Sequence, residues 1–169
     1  HIREVVAARR YLDRNPYLPS DLRAAVFNIS DHDPLMYQIS ETPYWRQVRT
    51  DRRNKDYQEN HLDRVEYARD HFTAASGGTF YGGDAFPEEY YGNIFTGDVS
   101  GNLVHRDILV ATDSTPYYIA QRAEQEKSKE FLVTTDTWFR PANFSVGPDG
   151  NLYVIDMYRQ HIETPVSIP

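Results

Sequence analysis

Residues 71–106 read HFTAASGGTFYGGDAFPEEYYGNIFTGDVSGNLVHR, a run dense in glycine and aromatic side chains. Its middle, GNIFTGDVSGNLVHR (residues 92–106), alternates apolar with small or polar residues on both sides of Ser100-Gly101-Asn102. That pattern predicts a β-hairpin, since alternate residues of a strand face opposite sides and Gly and Asn suit the turn. The stretch as a whole reads as three short strands separated by turns.

Part of it recurs. Gly92-Asn93-Ile94-Phe95-Thr96-Gly97-Asp98 lies over Gly150-Asn151-Leu152-Tyr153-Val154-Ile155-Asp156 at an offset of 58, the distance from 92 to 150. Gly, Asn and Asp coincide, and Ile/Leu and Phe/Tyr are conservative pairs. The strand before each copy also aligns, His71–Gly78 over Arg140–Gly147, at an offset of 69, the distance from 71 to 140. On this alignment the first hairpin is 11 residues longer, with TFYGGDAFPEEYY where the second has the tight Pro148-Asp149-Gly150 turn. In that turn Pro fixes φ, Asp caps and Gly permits positive φ.

An inner strand, a turn, a second strand ending in Asp and then outer strands is the pattern of a β-propeller blade, whose two faces must be covered by its neighbours. The expected fold is therefore all-β: a β-propeller fragment of about two blades with an irregular, partly helical insertion. Two blades cannot close a ring, so the rest is expected from a longer chain or another subunit.

The flanking segments fit around this plan. Residues 1–40 read as a partial blade and connecting loop, with a strand at Ala25–Ile29, 41–70 as a charged insertion, 71–137 as one blade and 138–169 as the start of the next. Residues 41–71 carry seven Arg or Lys and seven Asp or Glu. Such a segment is a solvated spacer or a lid over a ligand, with a helix expected around Asn60–Arg69. Tyr117–Arg122 reads as an outer strand.

Composition bounds the function. The 169 residues are 40% hydrophobic and 25% charged, long and apolar enough for a core. Thirteen Tyr and eight Phe against two Met lean toward β structure. A net charge of -7 without a block of like charge argues against nucleic acid or an anionic membrane as the main partner. With no cysteine, disulfides, thiolate metal sites and covalent haem attachment are excluded in this piece. No apolar run approaches the roughly 18–20 residues of a membrane span. The opening HIREVV shows no signal peptide, and the chain is expected to be an internal piece of a longer protein.

Candidate site residues come from the repeat. Arg140 and His71 precede inner strands, where side chains point toward a propeller's axis. A guanidinium fork there suits a carboxylate or quinone, and an imidazole suits proton transfer or ligation. Each equally serves as a hydrogen-bonded residue closing the blade. Asp98 and Asp156 end equivalent second strands; an Asp there binds substrate or metal, or accepts backbone N–H bonds in the following turn. Arg159 and His105-Arg106 fall on third strands, where the ordinary reading is a surface charge. Asp31-His32-Asp33, and Asp84 with Glu88-Glu89, invite a metal reading, yet neighbours on an extended chain point opposite ways and neither set has a known ligand spacing. Nucleophile elbows, phosphate loops and two-His metalloprotease motifs are missing from the sequence.

GGTFYGGDAFPEEYYGNIFTGDVSGNLVHR and WFRPANFSVGPDGNLYVIDMYRQHIETPVSIP closely resemble the membrane-bound dehydrogenase family of planctomycetes and related bacteria. These large exported proteins carry a propeller similar to the glucose/sorbosone quinoprotein dehydrogenases, often followed by a c-type haem segment. The resemblance is strongest over 71–106 and 138–169 and weakest over 41–70. It implies a periplasmic or exported protein that oxidises a sugar or related alcohol with pyrroloquinoline quinone and calcium. It also implies that Arg140, with His71, Asp98, Asp156 and Arg159 nearby, grips the quinone. A cofactor-binding Lys of those enzymes falls near Ser100-Gly101, which carry no charge, and their general-base His lies in a blade outside this chain. The alternative is a non-catalytic propeller that binds carbohydrate or protein, or serves as a scaffold.

Overall fold

The computed structural model describes residues 36–62, 65–111 and 118–162, all within one compact unit. Both copies of the repeat fold as the antiparallel pair their alternation predicts. In the first, β1 (Ala75–Phe80) pairs with β2 (Ile94–Asp98), which pairs with β3 (Leu103–Ala111) through the Ser-Gly-Asn turn. Outer strand β4 (Tyr118–Arg122) and the short β5 (Leu132–Val133) complete this sheet along β3. In the second copy β6 (Pro141–Val146) pairs with β7 (Leu152–Asp156) across Pro148-Asp149-Gly150, and Gly150 takes the left-handed conformation at φ 76°. The two sheets pack face to face as neighbouring blades of a β-propeller fragment, and the described residues form an all-β fold with one helical insertion. Among the described residues no helix is long and apolar enough to cross a membrane.

The pairing corrects the alignment of the first strands. Ala75 faces Asp98 and Pro141 faces Asp156, so the inner strands are offset by 66 residues (75 to 141), against 58 for the second strands (98 to 156). The first hairpin is thus longer by 8 residues rather than 11, and the counterpart of Arg140 is Ala74 rather than His71. Shared Ser and Gly identities had drawn the sequence alignment three residues out of register, while hydrogen-bonded pairing sets the true one.

The extra hairpin residues fold over the neighbouring sheet. The Tyr81 hydroxyl donates to Gly150 O at 2.7 Å and accepts from Phe86 N–H at 3.0 Å. Tyr81, Phe95, Val104 and Phe144 form the buried core, flanked by Phe86, Tyr90, Phe131 and Val154. Phe95 and Phe131 meet edge to face at 4.9 Å, the arrangement that aligns a ring edge with a neighbour's negative face. Gly77 is required by this packing: at φ 73° it lies against the Phe144 ring, where a Cβ would come within 2.5 Å. The glycines of this stretch serve turns and sheet contacts.

The insertion is helical earlier than expected. Helix α1 spans Tyr44–Glu59, and the predicted helix at Asn60–Arg69 is absent: His61 turns to φ 53° and the chain returns without regular structure through its described residues. Leu62 and Val65 are exposed. What α1 buries is Trp45, Arg46, Thr50 and Tyr57, a stripe too polar to read as a helix face. Polar bonds tie it down. Asn54 exchanges hydrogen bonds with the Glu66 backbone at 2.8 Å each, Tyr57 donates to Glu66 at 2.7 Å, and Arg46 donates to Ala68 O at 2.9 Å.

Candidate functional site

The strand ends bring Asp98, Arg140 and Asp156 to one corner of the two sheets. Asp98 is fully buried. Its Oδ1 accepts from the Ser100 and Gly101 N–H groups at 2.8 Å each, and its Oδ2 from Thr73 and Ala74 at 3.0 and 3.1 Å. A carboxylate has about four acceptor sites, and all are used on main chain. Asp156 repeats the device in part: its Oδ1 accepts from Arg140 N–H at 2.7 Å and Tyr158 N–H at 2.8 Å. In both copies the Asp holds the residue before the inner strand and the residue two positions beyond itself.

Arg140, 1% exposed, joins the two corners. Its guanidinium donates to Val99 O at 2.6 Å, to Arg159 O at 3.0 Å and to Gln160 O at 2.8 Å. Burial, then the like charge of Arg46, pushes its pKa below the ordinary guanidinium value, while Asp98, Asp136 and Asp156 pull the other way. Arg159 takes part through its backbone, with N–H donating to Trp138 O at 3.1 Å, and its side chain is exposed. It does not lie on a third strand, because residues 157–162 are irregular. His71 turns toward the insertion: its ring stacks on Tyr67 at 3.8 Å, and its Nδ1 lies 3.3 Å from Arg69 O.

His105 and Arg106, expected at the surface, are buried. Strand β3 is covered on both faces, so consecutive side chains are both enclosed. His105 Nδ1 lies 2.7 Å from Glu130 Oε2 and Nε2 3.0 Å from Asp107 Oδ1. Burial works against the imidazolium charge, but Asp107 and Glu130 outweigh it and raise the His105 pKa to about 9. Burial likewise opposes the Glu130 carboxylate, yet hydrogen bonds from His105 and Arg122 hold its pKa low. Glu130 also accepts from Tyr37 N–H at 2.9 Å, tying the segment before α1 to this sheet. On the other face Arg106 pairs with Glu126 at 2.9 Å and lies 4.3 Å from the Tyr90 ring centroid. One signal could have found these pairs. In LVHRDILVA (residues 103–111) adjacent apolar residues stand on both sides of His105-Arg106-Asp107, and adjacent residues face opposite sides of a strand, a pattern that points to cover on both faces.

Among the described residues, Arg140 and Asp98, two of the groups expected to grip pyrroloquinoline quinone, are bound to main chain. Three of the five Arg140 guanidinium N–H groups go to main-chain carbonyls, and Asp98 accepts four N–H groups. Asp84, Glu88 and Glu89 are exposed, and Asp84 Oδ1 packs where a Cβ of Gly150 would stand. Among the described residues no set of three His, Cys, Asp or Glu side chains converges for a metal ion. Asp31-His32-Asp33 and the strand expected at Ala25–Ile29 lie outside the described residues.

The chain belongs to the family described as Domain of unknown function (DUF7133), whose model matches residues 1–169. No curated protein and no solved structure matches it.

Proposed function

We propose that this chain is a non-catalytic propeller module, a scaffold section of a larger propeller completed by the rest of a longer chain or another subunit. One observation carries the reading: Asp98 and Arg140, the buried polar groups at the strand ends where a propeller presents its ligand site, are bound to backbone. Asp98 and Arg140 hold main chain to main chain at a corner shared by two blades, and a group so occupied has little left for a substrate.

A second reading makes the chain part of an exported, periplasmic quinoprotein-type dehydrogenase oxidising a sugar or related alcohol. Its support is the nearness of Arg46, from the insertion, to Arg140, which gathers positive charge at the corner where an anionic quinone would lie. In that case the groups that hold the quinone and calcium belong to other blades.

Thermal unfolding of the full-length protein, with and without pyrroloquinoline quinone and calcium, separates the two. Saturation at 100 times Kd stabilises by about 2.7 kcal/mol, several degrees for a domain of this size. The scaffold reading expects a shift below about 1 °C and no dye-linked oxidation of sugars or alcohols. A shift of several degrees with quinone-dependent oxidation overturns it.

A further inference from the structure

The second copy of the repeat carries an aromatic pair that the first lacks. Trp138 and Tyr158 lie with ring centroids 5.7 Å apart and planes tilted by 46°, exposed by 43% and 59%. By register their counterparts in the first copy are Phe72, half-buried against His105, and Ser100, which is buried. Both copies use an Asp to hold the N–H two positions on, but Ser100 keeps an ordinary backbone while Tyr158 is turned to φ 43°. A bulky residue adopts that left-handed conformation only at a cost, and the shared corner does not require it. What the turn achieves is an exposed ring fixed beside Trp138. Backbone bonds hold the pair: Trp138 N–H donates to Asp136 Oδ1 at 2.9 Å and Arg159 N–H to Trp138 O at 3.1 Å.

We infer that Trp138, Tyr158 and Asp136 form a binding site for a methylated ammonium group, such as the head of a choline-type cation. The ring faces carry the negative end of the aromatic quadrupole, and with centroids 5.7 Å apart one cation can lie within the roughly 6 Å reach of both. Asp136 supplies the countercharge. Its charge first, then its hydrogen bond to the Tyr158 hydroxyl, with partial burial and the charge of Asp156 adding, raises the Tyr158 pKa. Among the described residues no cation acts against them there. Such negative surroundings disfavour an anion and give a neutral ligand no advantage. The count of acceptors separates a methylated from a protonated amine. Asp136 already accepts from Trp138 and Tyr158, leaving about two of a carboxylate's roughly four acceptor positions, whereas a primary ammonium brings three donors. A quaternary ammonium brings none and asks only for charge and ring faces. The site uses other groups than Asp98 and the Arg140 guanidinium, and so adds a ligand to the scaffold reading without depending on it.

The test titrates the full-length protein with choline by calorimetry, against its neutral carbon isostere dimethylbutanol and against cellopentaose. Choline is expected to bind with a Kd of the order of 1 mM, at least about tenfold tighter than the isostere. Trp138→Leu and Asp136→Asn should each weaken choline at least about fivefold, while Tyr44→Leu, at an exposed aromatic of α1, should leave it unchanged. Equal binding of choline and the isostere, tighter binding of cellopentaose, or no choline binding up to about 20 mM overturns the proposal. So does choline binding that both site variants leave unchanged. Should Trp138→Leu fold poorly, the isostere comparison on the unmodified protein and the exposed Asp136→Asn still decide. A quinone-dependent thermal shift would overturn the non-catalytic reading and leave this site standing.

Discussion

Asp98 and Asp156 occupy the same place in the two copies of the repeat and are used to different degrees. Asp98 is buried and accepts four N–H bonds; Asp156 is exposed and accepts two. The shared part, a bond back to the residue before the inner strand and one to the residue two positions on, comes with the local sequence. Of the two extra bonds to Asp98, one comes from Thr73 ahead of the inner strand and the other from Gly101 in the chain just beyond the carboxylate. After Asp98 it turns through Ser100-Gly101 into β3, and that turn supplies two N–H groups to the carboxylate; after Asp156 residues 157–162 make no strand. The repeat encodes the corner, and neighbouring strands decide how much depends on it.

The two copies should differ most when these carboxylates are removed. Asp98→Ala orphans four N–H groups, and at about 1–3 kcal/mol for each buried unsatisfied group it should cost at least about 4 kcal/mol or abolish folding. Asp156→Ala should cost about 1–2 kcal/mol. Urea unfolding of the full-length variants checks both, and equal losses would mean that burial does not set the difference.

Arg140→Ala comes next, expected to cost about 3 kcal/mol by stripping charge-assisted donors from three carbonyls. Arg159→Ala, whose contacts here are made by its backbone, should stay within about 0.5 kcal/mol.

The buried histidine supplies a pH test of similar size. Its folded pKa of about 9 lies above the ordinary 6.5, so its contribution is full below 6.5 and is lost as pH rises through 9. A shift of that size corresponds to a contribution of the order of 3 kcal/mol. Unfolding measured from pH 6 to 10 should show the decline, and Glu130→Gln should flatten it.

A further pair of variants separates the two sheet faces. Gly97→Ala pushes a methyl toward the Pro141 carbonyl, to which an added Cβ comes within 2.5 Å, and should cost about 2 kcal/mol. In a piece comprising only residues 35–169, the equivalent Ile155→Ala should be nearly silent, because nothing described covers it.

Much of the fold was legible because strand alternation and turn chemistry are local. The Ser-Gly-Asn and Pro-Asp-Gly turns, the outer strand at Tyr118–Arg122 and the repeat itself could be read directly. The register of the inner strands could not: short identities at Ser76/Ser145 outweighed a pairing that depends on hydrogen bonds across the sheet. Helix α1 was hidden because its buried stripe, Arg46, Thr50 and Tyr57, is held by polar bonds that carry no hydrophobic period. The corner was half legible. The repeated Asp signalled a shared role, but that Asp98 is saturated depends on Thr73 and Ala74, 25 and 24 residues earlier in the chain. His105 and Arg106 looked like surface charges because single residues do not show that β3 is covered twice.

The central claim, that these polar groups hold backbone rather than ligand, is tested most directly by amide hydrogen exchange in the full-length protein and its Asp98→Asn variant. The amides of Thr73, Ala74, Ser100 and Gly101 should be protected to near the global stability, and in the variant, which keeps a single acceptor oxygen, at least one of the two pairs should lose that protection. Loop-like exchange at Ser100 and Gly101 in the unmodified protein, or unchanged protection in the variant, would contradict it.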